Sequence, residues 1–408
     1  MPDTNMTGVK RARRVRHTGR FSQVRVYLGK QLRFFINESD WKVLPMAAII
    51  AGLVAMVIRR RFCVDMEGSL FGGFALTCVA IWNGCFNSIQ AVCRERAIIK
   101  REHRSGMHIS SYMAAHMIYQ FMLCAAQTML TMFVLRQLGV QIPAGAGSGE
   151  ITPWAILDLG ISMFLISYAS DMMSLFLSSI SRTTTGAMTV MPFILIFQLV
   201  FSGGIIPLPE WSRPISNFTI SNYGVKAIVS QSDYNNRPMT SVWNIVSGMR
   251  DSEIAEPVTV GELLDFLDSP AVEKRRDMEV INASTAAAAA EIAGLSEEEA
   301  ALLKDGQLIE EPVTLGENAD MLKSSEWLQA HRDTTYTIRT TVGELFDVLG
   351  EQRVKSYVQE KTAAAAYKKE YANDAINIID NWFMLCVFIL AFAMMATIVL
   401  ELIDKDKR

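Results

Sequence analysis

Cysteine and histidine are scarce in this sequence. It holds 6 Cys and 5 His among 408 residues, whereas a small domain held together by disulfides needs a denser set of cysteines. Cys63 is expected outside the membrane as an unpaired thiol open to reagents. The other cysteines lie in or at the ends of long apolar segments, where a free thiol behaves as a small hydrophobic group: Cys78, Cys85, Cys93, Cys124 and Cys386.

Motifs of soluble enzymes are also missing. No Gly-x-x-x-x-Gly-Lys-Ser/Thr phosphate loop occurs in the sequence, so no ATP hydrolysis by these residues is expected. His108 and His116 share one apolar segment but have no carboxylate at ligand spacing and no His-Glu-x-x-His pattern. We interpret them as interfacial or bundle-facing histidines. No catalytic, metal-binding or cofactor-binding residue and no nucleic-acid partner is predicted.

Long apolar segments dominate what is present. Hydrophobic residues make up 50% of the chain and the mean hydropathy is +0.21, which is typical of a multi-pass membrane protein. Six segments approach the ~20 residues that cross the hydrocarbon core of a bilayer: 41–58, 70–93, 108–135, 154–180, 187–206 and 382–402. We therefore expect an all-α fold built on a six-helix transmembrane bundle. The basic segment before it lacks the apolar core of a secretory signal, so no processing is expected.

The distribution of Lys and Arg predicts the orientation in the plasma membrane. The N-terminal arm, the segment 94–104 and the C-terminal "DKDKR" are basic, and six alternating spans place all three on one side. That side is assigned to the cytoplasm, together with both termini. Arg59, Arg60 and Arg61 would then lie outside, where their side chains are expected to snorkel to lipid head groups.

The polar insertion between the fifth and sixth spans forms a domain of its own under this topology. A phrase recurs in it, as TVGELLDFL from Thr259, TLGENADML from Thr314 and TVGELFDVL from Thr341. Each phrase begins with Thr-x-x-Glu, the capping box of a helix start. We expect a helical extracytoplasmic domain, with its last helix running from near Gln352 into the sixth span. The repeats either mark helix starts or form a repeated partner-binding surface.

The predicted organisation has four parts. They are a cytoplasmic basic arm with an amphipathic elbow helix, spans one to five with a coupling helix and a re-entrant segment, the extracytoplasmic domain, and the sixth span with its tail. Their residues are 1–40, 41–229 (coupling helix 94–106), 230–380 and 381–408.

The order of elements resembles a known family. The arm VRVYLGKQLRFF, a span, a second span ending near GCFNSIQAV and then ERAIIKREHRSG follow one another. This order is similar to the membrane domain of the G subfamily of ATP-binding-cassette exporters, the type-2 exporter permeases. The coupling helix of that family reads Glu-Arg, an aromatic or aliphatic residue, Arg-Glu and Gly, which here are Glu95, Arg96, Ile99, Arg101, Glu102 and Gly106.

Further matches and departures accompany this pattern. SYASDMMSLFLSSI in the fourth span and LVFSGGIIPLPEW closing the fifth, with its Phe-Ser-Gly at 201–203, extend the resemblance over about 25–229 and the last span. Met107 and His108 stand where the family has a Tyr after the coupling Gly. The nucleotide-binding domain is absent from these residues and the outer insertion is longer than usual. We expect a separate ATPase subunit for this reason.

The resemblance implies a permease subunit that pairs with a second copy, identical or not, and with ABC ATPase subunits that bind the ATP. Its coupling residues would be Glu95, Arg96, Arg101, Glu102 and Gly106, and binding of anionic lipid head groups is the alternative role of the cations. Spans two and five would line a central cavity and exit plug, through Phe86, Asn87, Ile196, Leu199 and Ile205. The alternative for each of these is ordinary helix packing.

The expected function is export of a hydrophobic or amphipathic substrate, such as a lipid, drug or peptide, across the plasma membrane. A membrane-anchored sensor or scaffold, with a ligand-binding extracytoplasmic domain, is the alternative. Asp158 and Asp171 lie inside the fourth span, where a carboxylate must face protein or water. The sequence leaves open whether they serve as structural hydrogen-bond partners or line the substrate path.

Overall fold

A computed structural model of the chain describes residues 19–37, 40–143, 151–204, 209–269, 279–281, 313–333 and 335–402. The chain divides into two compact units. The first, the membrane unit, comprises residues 1–237 and 367–408, and the second comprises residues 238–366. The basic arm before residue 19 and the "DKDKR" tail lie outside the described residues.

Helices build the membrane unit. In chain order they are α1 Arg20–Asn37, α2 Val43–Ile58, α3 Met66–Ser88, α4 Ala91–Arg104, α5 Ile109–Gln137, α6 Ala155–Ile180, α7 Thr184–Val200, α8 Arg213–Ser216, α9 Ile220–Gln231 and, after the second unit, α16 Ala375–Glu401. Short 3-10 helices lie at Asp40–Lys42, Glu210–Ser212, Tyr234–Asn236 and Lys369–Tyr371.

Each of the six predicted apolar segments coincides with an apolar helix. Within the described residues, four helical stretches are long and apolar enough to cross a membrane: Met66–Arg104, which contains α3 and α4, then α5, α6 and α16. The helices α2 and α7 are apolar but shorter, with 16 and 17 residues. At the usual helical rise they are about 25 Å long, somewhat less than the hydrocarbon core. That these two also cross the bilayer stays a prediction.

The helix α6 forms the centre of the membrane unit, packed against α3, α5, α9 and α16. Its serine side chains bind the backbone of α3: the Ser170 hydroxyl donates to the Ile81 carbonyl at 2.8 Å, and the Ser174 hydroxyl donates to the Cys85 carbonyl at 2.7 Å. Small residues let helix backbones approach closely inside a membrane. The serines of SYASDMMSLFLSSI therefore explain why α3 and α6 pack so tightly.

The second unit contains a β-sheet, so the prediction of an all-helical extracytoplasmic domain was wrong. Four antiparallel strands are described, in the order β1-β4-β2-β3. The segments EIAEPVT and TYTIRTT are rich in β-branched residues, which favour strands. The helix-capping phrases that follow them favoured helices instead. The elements are α10 Thr240–Gly248, β1 Glu253–Thr259, α11 Val260–Leu267, β2 Glu279–Ile281, β3 Val313–Thr314, α12 Leu315–Ser324, α13 Glu326–Ala330, β4 Thr335–Thr341, α14 Val342–Leu349 and α15 Glu351–Ala365.

Two of the repeated phrases form a reciprocal pair in this unit. The strands β1 and β4 pair along their full length and each runs directly into its helix, α11 or α14. The Gly261 amide donates to the Arg332 carbonyl at 2.8 Å, and the Gly343 amide donates to the Arg250 carbonyl at 2.8 Å. A Cβ atom at Gly343 would approach that carbonyl oxygen to 3.2 Å, which explains the glycine. The repeat is therefore a strand-and-helix module present twice with exchanged contacts.

Ion pairs follow the same exchange. The Arg332 guanidinium lies 2.6 Å from Asp265 of α11, and the Arg250 guanidinium lies 3.1 Å from Asp347 of α14. The third phrase begins at β3, at the other edge of the sheet, and Lys323, directly after that phrase, lies 3.1 Å from Asp268.

The capping boxes are confirmed at two of the three phrases. Thr259 with Glu262, and Thr341 with Glu344, make both reciprocal bonds, whereas the Thr314 side chain makes no capping bond to α12. We expect Thr259→Ala to lower the local stability of the first turn of α11 by about 1 kcal/mol. Amide hydrogen exchange of the full-length protein measures this. Thr314→Ala is the matched control, and equal exchange changes at both helix starts would contradict the prediction.

The sixth span starts as a separate helix, so the prediction of one helix running from near Gln352 into it was wrong. The helix α15 ends at Ala365, and α16 begins after Asp374, whose carboxylate accepts the Ile376 amide at 3.3 Å. Side-chain amides fix the connection between them. The Asn235 side chain, for example, donates to the Lys368 carbonyl and accepts the Lys368 amide, both at 3.0 Å.

Cys63 is buried, so the expectation of an accessible thiol was wrong. It occupies a turn between α2 and α3 with a φ of +59° and is 2% exposed. Burial raises the pKa of its thiol to about 12; Arg237 opposes this shift and Asp233 adds to it. Because only the thiolate is strongly nucleophilic, Cys63 should be inert towards thiol reagents.

Candidate coupling surface and membrane cavity

The charged helix α4 is fixed to the end of α6 at its N-terminal half. Its first-turn amides, those of Val92 and Cys93, both donate to the Ser178 hydroxyl oxygen at 3.1 Å. This hydroxyl from another helix replaces a local cap, because Gln90 makes no side-chain cap bond. The Arg96 guanidinium donates to the carbonyls of Ser179 and Ser181, at 2.8 and 3.2 Å. A cation at these last carbonyls also suits the negative end of the α6 dipole.

Ser178 offers a direct test of this attachment. We expect Ser178→Ala to leave two amides of α4 without their acceptor and to weaken the first turn of α4 by about 1 kcal/mol. Hydrogen exchange at 91–95 should accelerate accordingly. Ser179→Ala is the matched control, because the Ser179 hydroxyl donates within its own helix, to the Leu175 carbonyl at 2.8 Å. Faster hydrogen exchange of α4 in Ser179→Ala alone would refute the capping of α4 by the Ser178 hydroxyl.

The elbow helix α1 holds the other side of α4. Glu95 is 4% exposed, and its carboxylate lies 3.1 Å from the Lys30 ammonium and accepts the Tyr112 hydroxyl at 3.3 Å. Next to this pair, the Gln31 amide and the His116 ring nitrogen are 2.9 Å apart. A buried carboxylate must be paired and hydrogen-bonded to be tolerated. Glu95 therefore connects α1, α4 and α5.

Two further contacts complete the attachment of α1. The Tyr27 phenol hydrogen bonds Glu102, and its pKa rises to about 12, first because of burial and then because of the negative charge of Glu102. The Gln23 side chain donates to the Gly106 carbonyl at 3.3 Å and accepts the His108 amide at 3.0 Å. Gly106 has a φ of +107°, a conformation that favours glycine, and this turn redirects the chain from α4 into α5.

One face of α4 remains exposed. Arg94, Ile98 and Arg101 are exposed and follow one another at helical spacing. This set, the α4 exposed face, combines two cations with one apolar side chain. Its position is fixed from behind by the contacts of α4 with α1 and α6, and Arg94 also borders the cavity described below.

The predicted coupling residues thus have different surroundings. Arg101 lies on the α4 exposed face, Glu95 and Arg96 bind inside the chain, Glu102 contacts α1, and Gly106 forms the turn. Sequence reasoning missed the partners in α1: Gln23, Tyr27, Lys30 and Gln31. Their spacing of 4, 3 and 1 residues places them on one helical face, which was the available signal.

A cavity of about 220 Å³ lies between α1, α3, α4 and α5. Polar side chains contribute much of its wall, and the lining residues include Gln31, Phe86, Asn87, Glu95, His116 and Gln120. Asn87 and Gln127 exchange two amide hydrogen bonds, at 2.8 and 3.0 Å. Asn87 therefore joins α3 to α5 as well as bordering the cavity.

The predicted cavity and plug residues of span five lie on a sparsely packed helix. The buried seam of α7 consists of Ala187, Met191, Leu195 and Gln198. Ile196 is 58% exposed and Phe86 of α3 is 48% exposed, while Leu199 is half-buried. Ile205 lies outside the described residues. Phe86 and Ile196 thus present apolar surface on the outside of the single chain.

Both carboxylates of the fourth span are buried in the bundle. Asp171 accepts the hydroxyl of Ser88 and lies 3.8 Å from the Cys124 sulfur. Asp158 lies at the other end of α6, where the Gln231 amide donates to its backbone carbonyl at 3.3 Å. The Asp171 carboxylate therefore contacts α3 and α5, whereas the contact described for Asp158 involves its backbone only; whether either carboxylate lines a substrate path stays open.

Comparisons with known proteins cover about half of the chain. Residues 34–231 match the family described as ABC-2 type transporter. A curated relative is an ABC transporter ATP-binding/permease protein of Mycobacterium tuberculosis, 26% identical over 208 residues. The alignment covers 47% of this chain and 23% of that relative, so the chain spans only about a quarter of the relative's length. The matched residues include α2 to α7, α4 among them.

Proposed function

We propose that this multi-pass membrane protein, whose residues 34–231 match the ABC-2 type transporter family, is the membrane half of an exporter whose ATPase docks on the α4 exposed face. ABC-2 permeases generally pair with ATPase subunits. The relative's own name joins an ATP-binding and a permease function. No phosphate loop occurs within these 408 residues, and the ATPase is accordingly proposed as a partner subunit.

The observation that carries this proposal is the mounting of α4. A helix that transmits force must be fixed on one side and exposed on the other. The Lys30–Glu95 pair and the Arg96 contacts fix one side, and Arg94, Ile98 and Arg101 are exposed on the other. Arg is well suited to such an interface because its guanidinium forms bidentate bonds with carboxylates.

The test reverses one charge on the exposed face. We expect Arg101→Glu to leave expression and membrane insertion normal, to abolish substrate-stimulated ATP hydrolysis by the partner and to weaken its copurification. Loss of one member of a charge pair buried at an interface costs about 2–5 kcal/mol. Glu102→Arg is unsuitable as a second test because Glu102 binds Tyr27 within the chain.

The matched control is Arg25→Glu. Arg25 is exposed on α1 and is not part of the α4 exposed face. Its substitution by Glu makes the same charge change, and we expect it to act near the same lipid head groups. Lipid attraction alone is worth about 1 kcal/mol per cation. Equal and mild effects of both variants would mean that α4 is only a lipid anchor, and would favour the sensor or scaffold function instead.

The substrate path is proposed between two membrane halves. Phe86 and Ile196 offer exposed apolar side chains on α3 and α7, and these faces suit either lipid or a second copy lining a central cavity. Phe86, Asn87, Ile196, Leu199 and Ile205 are the proposed cavity and plug positions. Such a lining fits a hydrophobic or amphipathic substrate, and export through the plasma membrane is the proposed direction.

The proposed topology has a cysteine-labelling test. A membrane-impermeant thiol reagent on intact cells should label Ser356→Cys, which is exposed in α15, and should not label Ser105→Cys, exposed at the end of α4. Ser105→Cys should react after permeabilisation. Native Cys63 should stay unlabelled throughout because it is buried. If only Ser105→Cys is labelled in intact cells, the orientation is the reverse of the proposed one.

A further inference from the structure

A second cavity of the membrane unit lies where α7 ends. It has a volume of about 640 Å³ and is bordered by the segment of α8 and α9 and by the turn before α16. The residues used below are Arg213, Asn222, Lys226, Lys368 and Glu370, all of which line it.

The charge in this cavity is predominantly positive. Lys226 is paired with Glu370 at 3.3 Å, so one cation is neutralised by the one carboxylate among the described lining residues. Arg213 and Lys368 remain as the surplus cations at the exposed rim. The Lys368 ammonium lies 5.4 Å from the centre of the Tyr371 ring, which leaves its donors available to an anion.

Asn222 is the second observation that points to a ligand. Its side chain is 2% exposed, lines the cavity, and its amide nitrogen finds no acceptor in the part of the chain that the structure describes. A buried donor without an acceptor is unfavourable by about 1–3 kcal/mol. Its position at the start of α9 is fixed by the backbone, since the backbone amide of Asn222 donates to the Thr219 hydroxyl at 3.4 Å. A ligand oxygen in the cavity would satisfy this donor.

The surroundings add an apolar component. Trp211 and Phe218, on the segment that carries Arg213, are 76% and 74% exposed. Exposed aromatic side chains beside cations are typical of membrane–water interfaces. The helix α7 starts near α4 and is about 25 Å long, so the cavity lies at the opposite end of the bundle from the α4 exposed face.

We propose that this cavity binds the oxyanion group, phosphate or carboxylate, of an amphipathic molecule, with Arg213 and Lys368 as the charged donors and Asn222 as the neutral one. If the proposed export function holds, this is a substrate site on the exit side. The binding itself does not depend on export.

The experiment uses the full-length protein in phosphatidylcholine nanodiscs. Lysophosphatidylglycerol, lysophosphatidylcholine and inorganic phosphate are titrated by calorimetry. We expect the anionic lysolipid to bind more than about tenfold more tightly than the zwitterionic one, and Lys368→Glu or Arg213→Glu to weaken it about tenfold, equivalent to about 1.4 kcal/mol. Asn222→Ala should weaken it as well, with the thermal midpoint as the check on folding. If inorganic phosphate competes with the anionic lysolipid, the oxyanion alone is sufficient for binding. If it does not compete, binding requires the whole amphipathic molecule.

The matched control is Lys369→Glu, which makes the same charge change one residue away in a side chain that is exposed but does not line the cavity. Binding should match the unmodified protein. Equal binding of the two lysolipids, or equal loss in Lys368→Glu and Lys369→Glu, would overturn the proposal. Failure of the Arg101→Glu test with intact anion selectivity here would remove only the exporter function and keep the site.

Discussion

Gly84→Ala is expected to destabilise the membrane unit strongly, although it adds a single methyl group. A Cβ atom at this position would collide with the Ser167 carbonyl oxygen and approach the Asp171 backbone nitrogen to 2.9 Å. Both atoms belong to the backbone of α6 and have no rotamer by which to move away. Overpacking of a core costs about 1–3 kcal/mol, and a backbone contact should place this variant at the upper end of that range or above it.

The measurement is the thermal midpoint of the purified protein in nanodiscs, together with the yield of folded protein. Gly160→Ala on α6 is the matched control, because a Cβ atom there meets nothing within 4 Å. Alanine is the better helix former by about 1 kcal/mol, so the control should be neutral or slightly stabilised. Similar midpoints for the two variants would show that α3 and α6 are not in close backbone contact.

Lys30→Met is expected to cost more than Glu95→Gln, although both remove one member of the same ion pair. The Glu95 side chain is 6% exposed and the Lys30 side chain 24%. Loss of Lys30 leaves a buried carboxylate that still accepts the Tyr112 hydroxyl but no longer has the Lys30 cation beside it, and an uncompensated buried charge costs about 3–5 kcal/mol. Loss of Glu95 leaves an ammonium that reaches water along its flexible stem, so about 1 kcal/mol is expected.

The double variant Lys30→Met with Glu95→Gln should recover part of the loss, because it removes both charges. Thermal midpoints and hydrogen exchange of α1 and α4 measure the cycle, and Arg25→Met, on an exposed position of α1, is the control. Equal costs of the two single variants would contradict the asymmetric burial of the pair.

Local patterns were sufficient for some features of this protein. Runs of apolar residues predict helices because the backbone must satisfy its own hydrogen bonds in lipid, and all six segments coincide with helices. The Thr-x-x-Glu phrases predict capped helix starts, since the bonds join residues three apart, as at Thr259 and Glu262. The coupling phrase at 94–106 likewise predicts a charged helix between two spans, and the ABC-2 match includes it.

Long-range contacts decided the rest. The strands β1 and β4 are separated by residues 260–334, and their pairing depends on register across that distance, such as Glu253 with Thr341. Nor could the sequence assign the faces of α4: whether Glu95 is buried depends on Lys30, 65 residues earlier. The sequence by itself determined where helices form and where charge gathers, because those depend on neighbours along the chain. Only the tertiary structure decided which charges are exposed for a partner, because that depends on which helix packs behind them.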